Sequence, residues 1–351
     1  MVVNIDAGLS TVDRPARHAR PLRDKDRVQR ETHAGEYLTI GLLNNMVGAA
    51  FKNTERQFLS LLDAASAGIP VRVSFYTLPG LSLTESGGQQ FARHYASVDA
   101  LLNTQLDGLI VTGREPKFAS LRDEPYWESF TQVLEWARSH TYSSVWSCLA
   151  AHAAILHMDG IDRRRSEEKN FGVFECEQAS DHPLAQGLAP RFHVPHSRWN
   201  GVAREDLLAR GYSILSSIRN DGVDTFIKQE ESLFVFFQGH PEYESDTLMR
   251  EYRRDLARFL RGETNAYPLL PAGYFDQDTE KALTDLRNES GASRNAQLLL
   301  KVASVVENAP ITNTWQHSAT TIYGNWLSEI RTRKHAHRAD LRSIESLAIS
   351  E

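Results

Sequence analysis

The chain has 351 residues, of which 41% are hydrophobic and 24% charged, with a formal net charge of −6. That length buries a sizeable core, and the acidic balance argues against a nucleic-acid binder. Two cysteines, Cys148 and Cys176, form no disulfide framework, and no apolar run reaches the ~18 residues of a membrane helix.

Residues 1–36 are polar and carry a basic cluster, RHARPLRDKDRVQR, which reads as a mostly irregular arm. The start lacks the apolar core of a signal peptide, so a cytoplasmic protein with no membrane partner is expected. Regular patterning begins with Leu38 to Leu43, a short apolar strand ending in asparagines. TERQFLSLLDAASAG then spaces Phe58, Leu61, Leu62 and Ala65 as a helix, with Gly68 as its stop. VRVSFYTL and LDGLIVTG read as strands, YWESFTQVLEWARSH as an amphipathic helix, YSSVWSC as a strand and LAAHAAILHM as a helix. This alternation predicts an α/β protein with a largely parallel sheet.

The second half is less regular. GVFECEQ and RFHVPHSRWNGV fit strands or a site loop, and YSILSSI, DTFIKQE and SLFVFFQG read as three strands. TLMREYRRDLARFLRG is a helix with Leu248, Tyr252, Leu256 and Leu260 on one stripe and Arg254 off its centre. Helical segments fill the tail. The expected division is an arm over 1–36, a catalytic α/β domain over 37–275, and a helical extension over 276–351 packed on it.

Two positions carry chemistry. Cys148 lies at a strand-to-helix junction, where helix N–H groups and the dipole favour a negative charge. The rival reading is a small apolar side chain in a core. FVFFQGHPEYESDTL exposes His240 after an apolar strand, with Glu242 two residues on and on the same side of an extended segment. A histidine deprotonates a thiol, and a carboxylate orients the imidazole. Both positions follow apolar strands, where ligands bind in open α/β sheets. The histidines near these motifs show no metal-ligand spacing, so no metal is expected.

Taken together, WSCLAAHAA, HSRWN, GHPEYESDTLMREYRRD and LDGLIVTG resemble the homoserine O-succinyltransferase family over roughly residues 37–275, and again near TNTWQHSATTIYGNWL. The resemblance implies a flavodoxin-like, class I glutamine amidotransferase-like fold. It implies a cysteine acyl-enzyme, acyl-CoA as co-substrate with no bound cofactor, homoserine as acceptor, and a homodimer. On this chain it makes Cys148 the nucleophile, His240 the base and Glu242 its supporting carboxylate. Arg254 becomes the clamp for the amino-acid carboxylate, Ser197 and Arg198 line the site beside His196, and Gly113 and Leu149 supply oxyanion donors. The chain departs from the family pattern in two places. LLNNMVGAAFKNTERQF lacks the usual proline and lysine pair, leaving Lys52 as the replacement. REPKFASLRDEPYW follows Thr112-Gly113, with Lys117 near the position that sorts succinyl from acetyl donors. A glutamine-type amidase or hydrolase, a homologue acylating a different acceptor, and a non-catalytic binding protein are the alternatives.

Overall fold

The computed structural model describes residues 3–5, 37–80, 94–218, 222–290 and 294–348. In chain order these form strands β1 (Val3–Ile5) and β2 (Leu38–Leu43), helix α1 (Ala49–Ala65), strands β3 (Val71–Thr77) and β4 (Tyr95–Ser97), helix α2 (Val98–Leu102), strand β5 (Gly108–Thr112), helix α3 (Trp127–His140), strand β6 (Ser143–Ser147) and helix α4 (Leu149–Asp159). Then come strands β7 (Arg164–Gln178) and β8 (Arg191–Gly201), helix α5 (Arg204–Ala209), and strands β9 (Ser213–Ile218), β10 (Gly222–Gln229) and β11 (Leu233–Phe237). Helices α6 (Thr247–Leu260), α7 (Gln277–Ser290), α8 (Ala296–Glu307) and α9 (Gln316–Ala348) complete the chain. Apart from β1, the N-terminal arm lies outside the described residues.

These residues divide into two compact units. The first takes in the described parts of Met1–Ala154, Lys228–Val235 and Tyr323–Glu351, and the second Ile155–Ile227 and Phe236–Ile322.

In the first unit, strands in the order β1-β3-β2-β5-β6 run parallel, and β4 also pairs with β3. The Leu233–Val235 part of β11 follows β6, with Leu233 N–H donating to Tyr142 O at 3.1 Å. Strands β5 (GLIVT) and β6 (SSVWS) are buried along their whole length, which explains the apolar run of β5, while β6 buries three serines as well. Helix α1 turns Phe51, Phe58, Leu61 and Leu62 inward. Helix α9 covers β5: a Cβ on Gly108 would fall 2.7 Å from Ile330 Cδ1 and 3.2 Å from the Trp326 ring. Trp326 Nε1–H donates to Ser143 Oγ at 2.9 Å, so the burial of that indole leaves no polar atom unpaired. The strand order reverses between β2 and β5, so the crevice of this sheet opens beyond their carboxyl ends.

The second unit pairs its strands antiparallel: β7 with β8, β7 with β9, and β9 with β10. The expected parallel arrangement therefore holds in the first unit, while short connections such as the one between β9 and β10 turn the chain back on itself. Helix α6 buries Leu248, Tyr252, Leu256 and Phe259 against Leu283 of α7, Leu298 and Val302 of α8, and Trp315. Leu260 is only partly buried, because Phe259 completes the stripe. Gly172 in β7 has φ 145°, and a Cβ there would lie 2.2 Å from Ala272 O; only glycine fits that approach.

Candidate active site

In the first unit the chemistry gathers at the ends of β2, β5 and β6. Asn44 and Asn45 follow β2 and are tied to β5: Asn45 N–H donates to Thr112 Oγ1 at 2.8 Å, and Thr112 Oγ1 donates to Asn44 Oδ1 at 3.4 Å. Asn44 Nδ2 reaches Phe51 O at 2.9 Å, which anchors the first turn of α1. Cys148 sits between β6 and α4 with φ 52°, left-handed backbone that a side chain resists by about 1–2 kcal/mol. Its carbonyl accepts from Ala151 N–H at 3.0 Å and His152 N–H at 3.3 Å, so α4 begins at the cysteine itself. The helix end therefore directs unpaired N–H groups toward anything bound at the partly exposed thiol.

Gly113 closes the other side of this turn. A Cβ on it would lie 2.6 Å from Leu149 Cβ, 2.7 Å from Ala150 N and 2.9 Å from Leu149 Cα. Gly113 thus packs on the backbone of Leu149 and Ala150, the two residues that follow Cys148. Lys52 lies exposed in the first turn of α1. Lys117 is exposed on the loop after β5, where its backbone N–H donates to Glu124 Oε1 at 2.5 Å.

In the second unit His240 follows β11. Its Nδ1–H donates to Glu242 Oε1 at 2.9 Å, because an ionised carboxylate only accepts. That bond fixes the tautomer and leaves Nε2 as the atom that exchanges a proton. Glu242 is 6% exposed. His240 N–H is held by Pro195 O at 2.8 Å, and Gln238 N–H by Asp224 O at 2.9 Å, so the loop is sewn to β8 and β10.

The imidazole stacks on Tyr243, with ring centres 4.3 Å apart. Tyr243 Oη donates to Glu251 Oε1 at 2.6 Å, and Glu251 Oε2 accepts from Ser197 Oγ at 2.5 Å. Arg254 Nη2 lies 4.0 Å from the same Glu251 oxygen and 2.9 Å from Asp255 Oδ1. Its side chain is 54% exposed, which leaves the guanidinium within reach of a ligand. Ser197 and Arg254, singled out from sequence, are therefore linked through Glu251 to the ring that carries His240. Tyr243 and Glu251 were missed, although their eight-residue spacing across the start of α6 was in view.

Arg198 has another role. It is 6% exposed, and its Nε–H donates to His196 Nδ1 at 3.2 Å while Nη1 donates to Asn200 O at 2.7 Å. Since arginine only donates, His196 carries its proton on Nε2, which faces Asp224 Oδ1 at 3.2 Å. Asp224 Oδ2 accepts from Ser216 Oγ at 2.7 Å and Thr225 Oγ1 at 2.8 Å. Burial lowers the His196 pKa to about 4, and Arg198 adds to that, so the ring is neutral. Asp224 stays ionised: burial works against its charge, but the bonds from His196, Ser216 and Thr225 outweigh it.

Cys176 Sγ lies with His196 and Asp224 in a buried group whose ligand-type atoms are within 4.8 Å of one another. The donor chemistry does not suit a metal: the Arg198 bond occupies Nδ1, and Nε2 is protonated. Burial also pushes the Cys176 thiol up, and the Asp224 charge adds to it, so this cysteine is inert.

The fold is that of an α/β protein whose first unit carries a cysteine at a left-handed strand-to-helix turn and whose second unit carries a histidine–carboxylate pair. The sequence model of the homoserine O-succinyltransferase family matches residues 21–335. The homoserine O-succinyltransferase of Rhodopseudomonas palustris is 44% identical over 294 residues, covering 84% of this chain and 88% of that protein. That of Bradyrhizobium japonicum is 40% identical over 291 residues, 83% of this chain and 89% of that protein. That of Methylobacter tundripaludum is 33% identical over 336 residues, 94% and 93% respectively.

Among solved structures, a glutamine amidotransferase from Methylobacillus flagellatus is similar at 13% identity and a TM-score of 0.45, covering 84% of this chain and 95% of that one. One from Thermotoga maritima is similar at 10% identity and a TM-score of 0.42, covering 84% and 98%. The chain belongs to the homoserine O-succinyltransferase family and is an enzyme, an acyltransferase. No helix among the described residues is long and apolar enough to cross a membrane.

Proposed function

We propose that this chain transfers a succinyl group from succinyl-CoA to the hydroxyl of homoserine through a thioester on Cys148, in the cytoplasm and as a homodimer. The observation that carries the reading is Cys148 itself, left-handed at the start of α4, whose first residues Leu149 and Ala150 pack on Gly113. Family membership supplies the substrates.

In the first half-reaction Cys148 Sγ attacks the thioester carbonyl, and the N–H groups of Gly113 and Leu149 take the developing oxyanion. His240 takes the thiol proton during the attack; the tetrahedral adduct then collapses, the C–S bond to coenzyme A breaks, the departing sulfur receives that proton from His240, and the acyl group stays on Cys148. In the second half His240 Nε2 takes the proton of the acceptor hydroxyl, whose oxygen attacks the acyl carbon, and the Cys148 thiolate leaves. Glu242 stabilises the imidazolium formed meanwhile. Arg254 holds the acceptor carboxylate, and Ser197, Arg198, Lys52 and Lys117 are the further substrate-binding residues. The 37–275 segment is the catalytic part, with 276–351 packed on it.

Intact-mass measurement after mixing with succinyl-CoA, and separately with acetyl-CoA, tests this beside a Cys148→Ala control. A succinyl adduct absent from the variant and discharged by homoserine is the expected result. No adduct with either donor, or discharge by water alone at the same rate, refutes the reading in favour of a hydrolase.

A further inference from the structure

Arg114 directly follows Gly113 at the end of β5 and is only 8% exposed. Buried arginines are normally paired, because an isolated buried charge costs several kcal/mol. Arg198 obeys that rule with two partners. Arg114 does not: its Nε is buried with no hydrogen-bond partner, and no described acid pairs with it. The Tyr126 ring lies 4.2 Å from its Cζ and orients the guanidinium without neutralising it. Glu124 gives Oε1 to the backbone N–H groups of Lys117 and Phe118, and its Oε2 is buried without a hydrogen-bond partner.

The position matters as much as the missing partner. Gly113 packs on Leu149 and Ala150, so Arg114 leaves the backbone one residue from the Cys148 turn. A mostly buried cation with no acid partner among the described residues suits, at that place, a ligand that brings its own carboxylate. Resting on the function proposed above, we propose that Arg114 binds the free carboxylate of the succinyl group, in the donor and in the Cys148 acyl-enzyme. This makes Arg114, rather than the exposed Lys117, the residue that selects a dicarboxylic acyl chain.

The test compares Cys148 acylation rates with succinyl-CoA and with butyryl-CoA, which matches its length without the charge. In Arg114→Gln the succinyl-to-butyryl ratio is expected to fall about 10- to 100-fold, the worth of one charge-assisted pair, while the butyryl rate changes little. Arg114→Lys, which keeps the charge, is expected to retain an intermediate ratio. Thermal unfolding of Arg114→Gln is expected at or above that of the wild type, since an unpaired buried charge is removed. An unchanged ratio, an equal fall in both rates, or a ratio that follows Lys117→Ala and not Arg114→Gln overturns the proposal. If the wild-type chain forms no succinyl adduct at all, the acyl-enzyme reading fails first, and the proposal with it.

Discussion

Gly113→Ala is the sharpest probe of the cysteine turn. The added methyl would lie 2.6 Å from Leu149 Cβ, 2.7 Å from Ala150 N and 2.9 Å from Leu149 Cα, where ordinary contact begins near ~3.5 Å. Two of those atoms are backbone, and the third is bonded directly to it, so no rotamer change relieves the overlap. The first turn of α4 has to retreat by roughly 1 Å, at about 1–3 kcal/mol for an overpacked site. Thermal unfolding should fall by about 2–10 °C. The larger effect is expected in chemistry: a displacement of about 1 Å costs on the order of 100-fold in rate. Stopped-flow release of coenzyme A from succinyl-CoA measures it. Gly160→Ala separates the two effects, since its φ of 67° strains an alanine but a Cβ there meets nothing within 4 Å. It should lose stability and keep the acylation rate. Wild-type acylation in Gly113→Ala, or equal slowing in Gly160→Ala, would refute the argument that this contact holds the nucleophile.

Glu242→Gln keeps the shape but loses the charge that supports the His240 imidazolium, so turnover should fall about 100- to 10,000-fold with the unfolding temperature nearly unchanged; an intact turnover number counts against the pair. Arg254→Ala should raise the KM for homoserine about 10- to 100-fold while acylation by succinyl-CoA proceeds as before; a defect confined to acylation would reassign the residue. Stability should fall as pH drops from 6.5 toward 4, because the unfolded chain protonates His196 in that window and the folded chain does not. The loss is roughly 3 kcal/mol, and His196→Asn should flatten the slope of chemical-denaturation midpoints against pH over that range. Below that window Asp224, held under its usual range in the fold, adds a further loss as it protonates.

Much of the fold was legible because burial and sequence pattern coincide. Leu38–Leu43 was read to the residue, and the helix from Trp127 to one position, since their apolar runs have sharp ends. Helix α1 begins at Ala49 rather than near Thr54: its N-cap is Gly48, with no side-chain cap, so the usual polar start signal is missing. Strand β7 begins at Arg164, well before GVFECEQ, because RRSEEKN is partly or fully exposed and gives no alternation to read. Strand β4 and helix α2, at three and five residues, are too short to rise above their surroundings. Cys148 and Gly113 were singled out because each directly follows a buried strand, and His240 because it comes three residues after the apolar β11.

What sequence reading missed at the site is partnership, and the two buried arginines show why. Arg114 and Arg198 are both charged residues in polar surroundings, a pattern that ordinarily means solvent. Folding buries both, but Arg198 meets a histidine nitrogen and a carbonyl, and through His196 it reaches Asp224 under the histidine loop. A Cβ on Gly239, the residue before His240, would lie 2.9 Å from His196 Nε2 and 2.8 Å from Asp224 Oδ1, so this network is the floor on which the base stands. Among the described residues Arg114 has the face of Tyr126 and no acid partner. The first arrangement ties its guanidinium to two acceptors and therefore holds shape. The second leaves a charge that only an incoming anion satisfies, so the same residue type at similar burial serves structure in one place and substrate selection in the other.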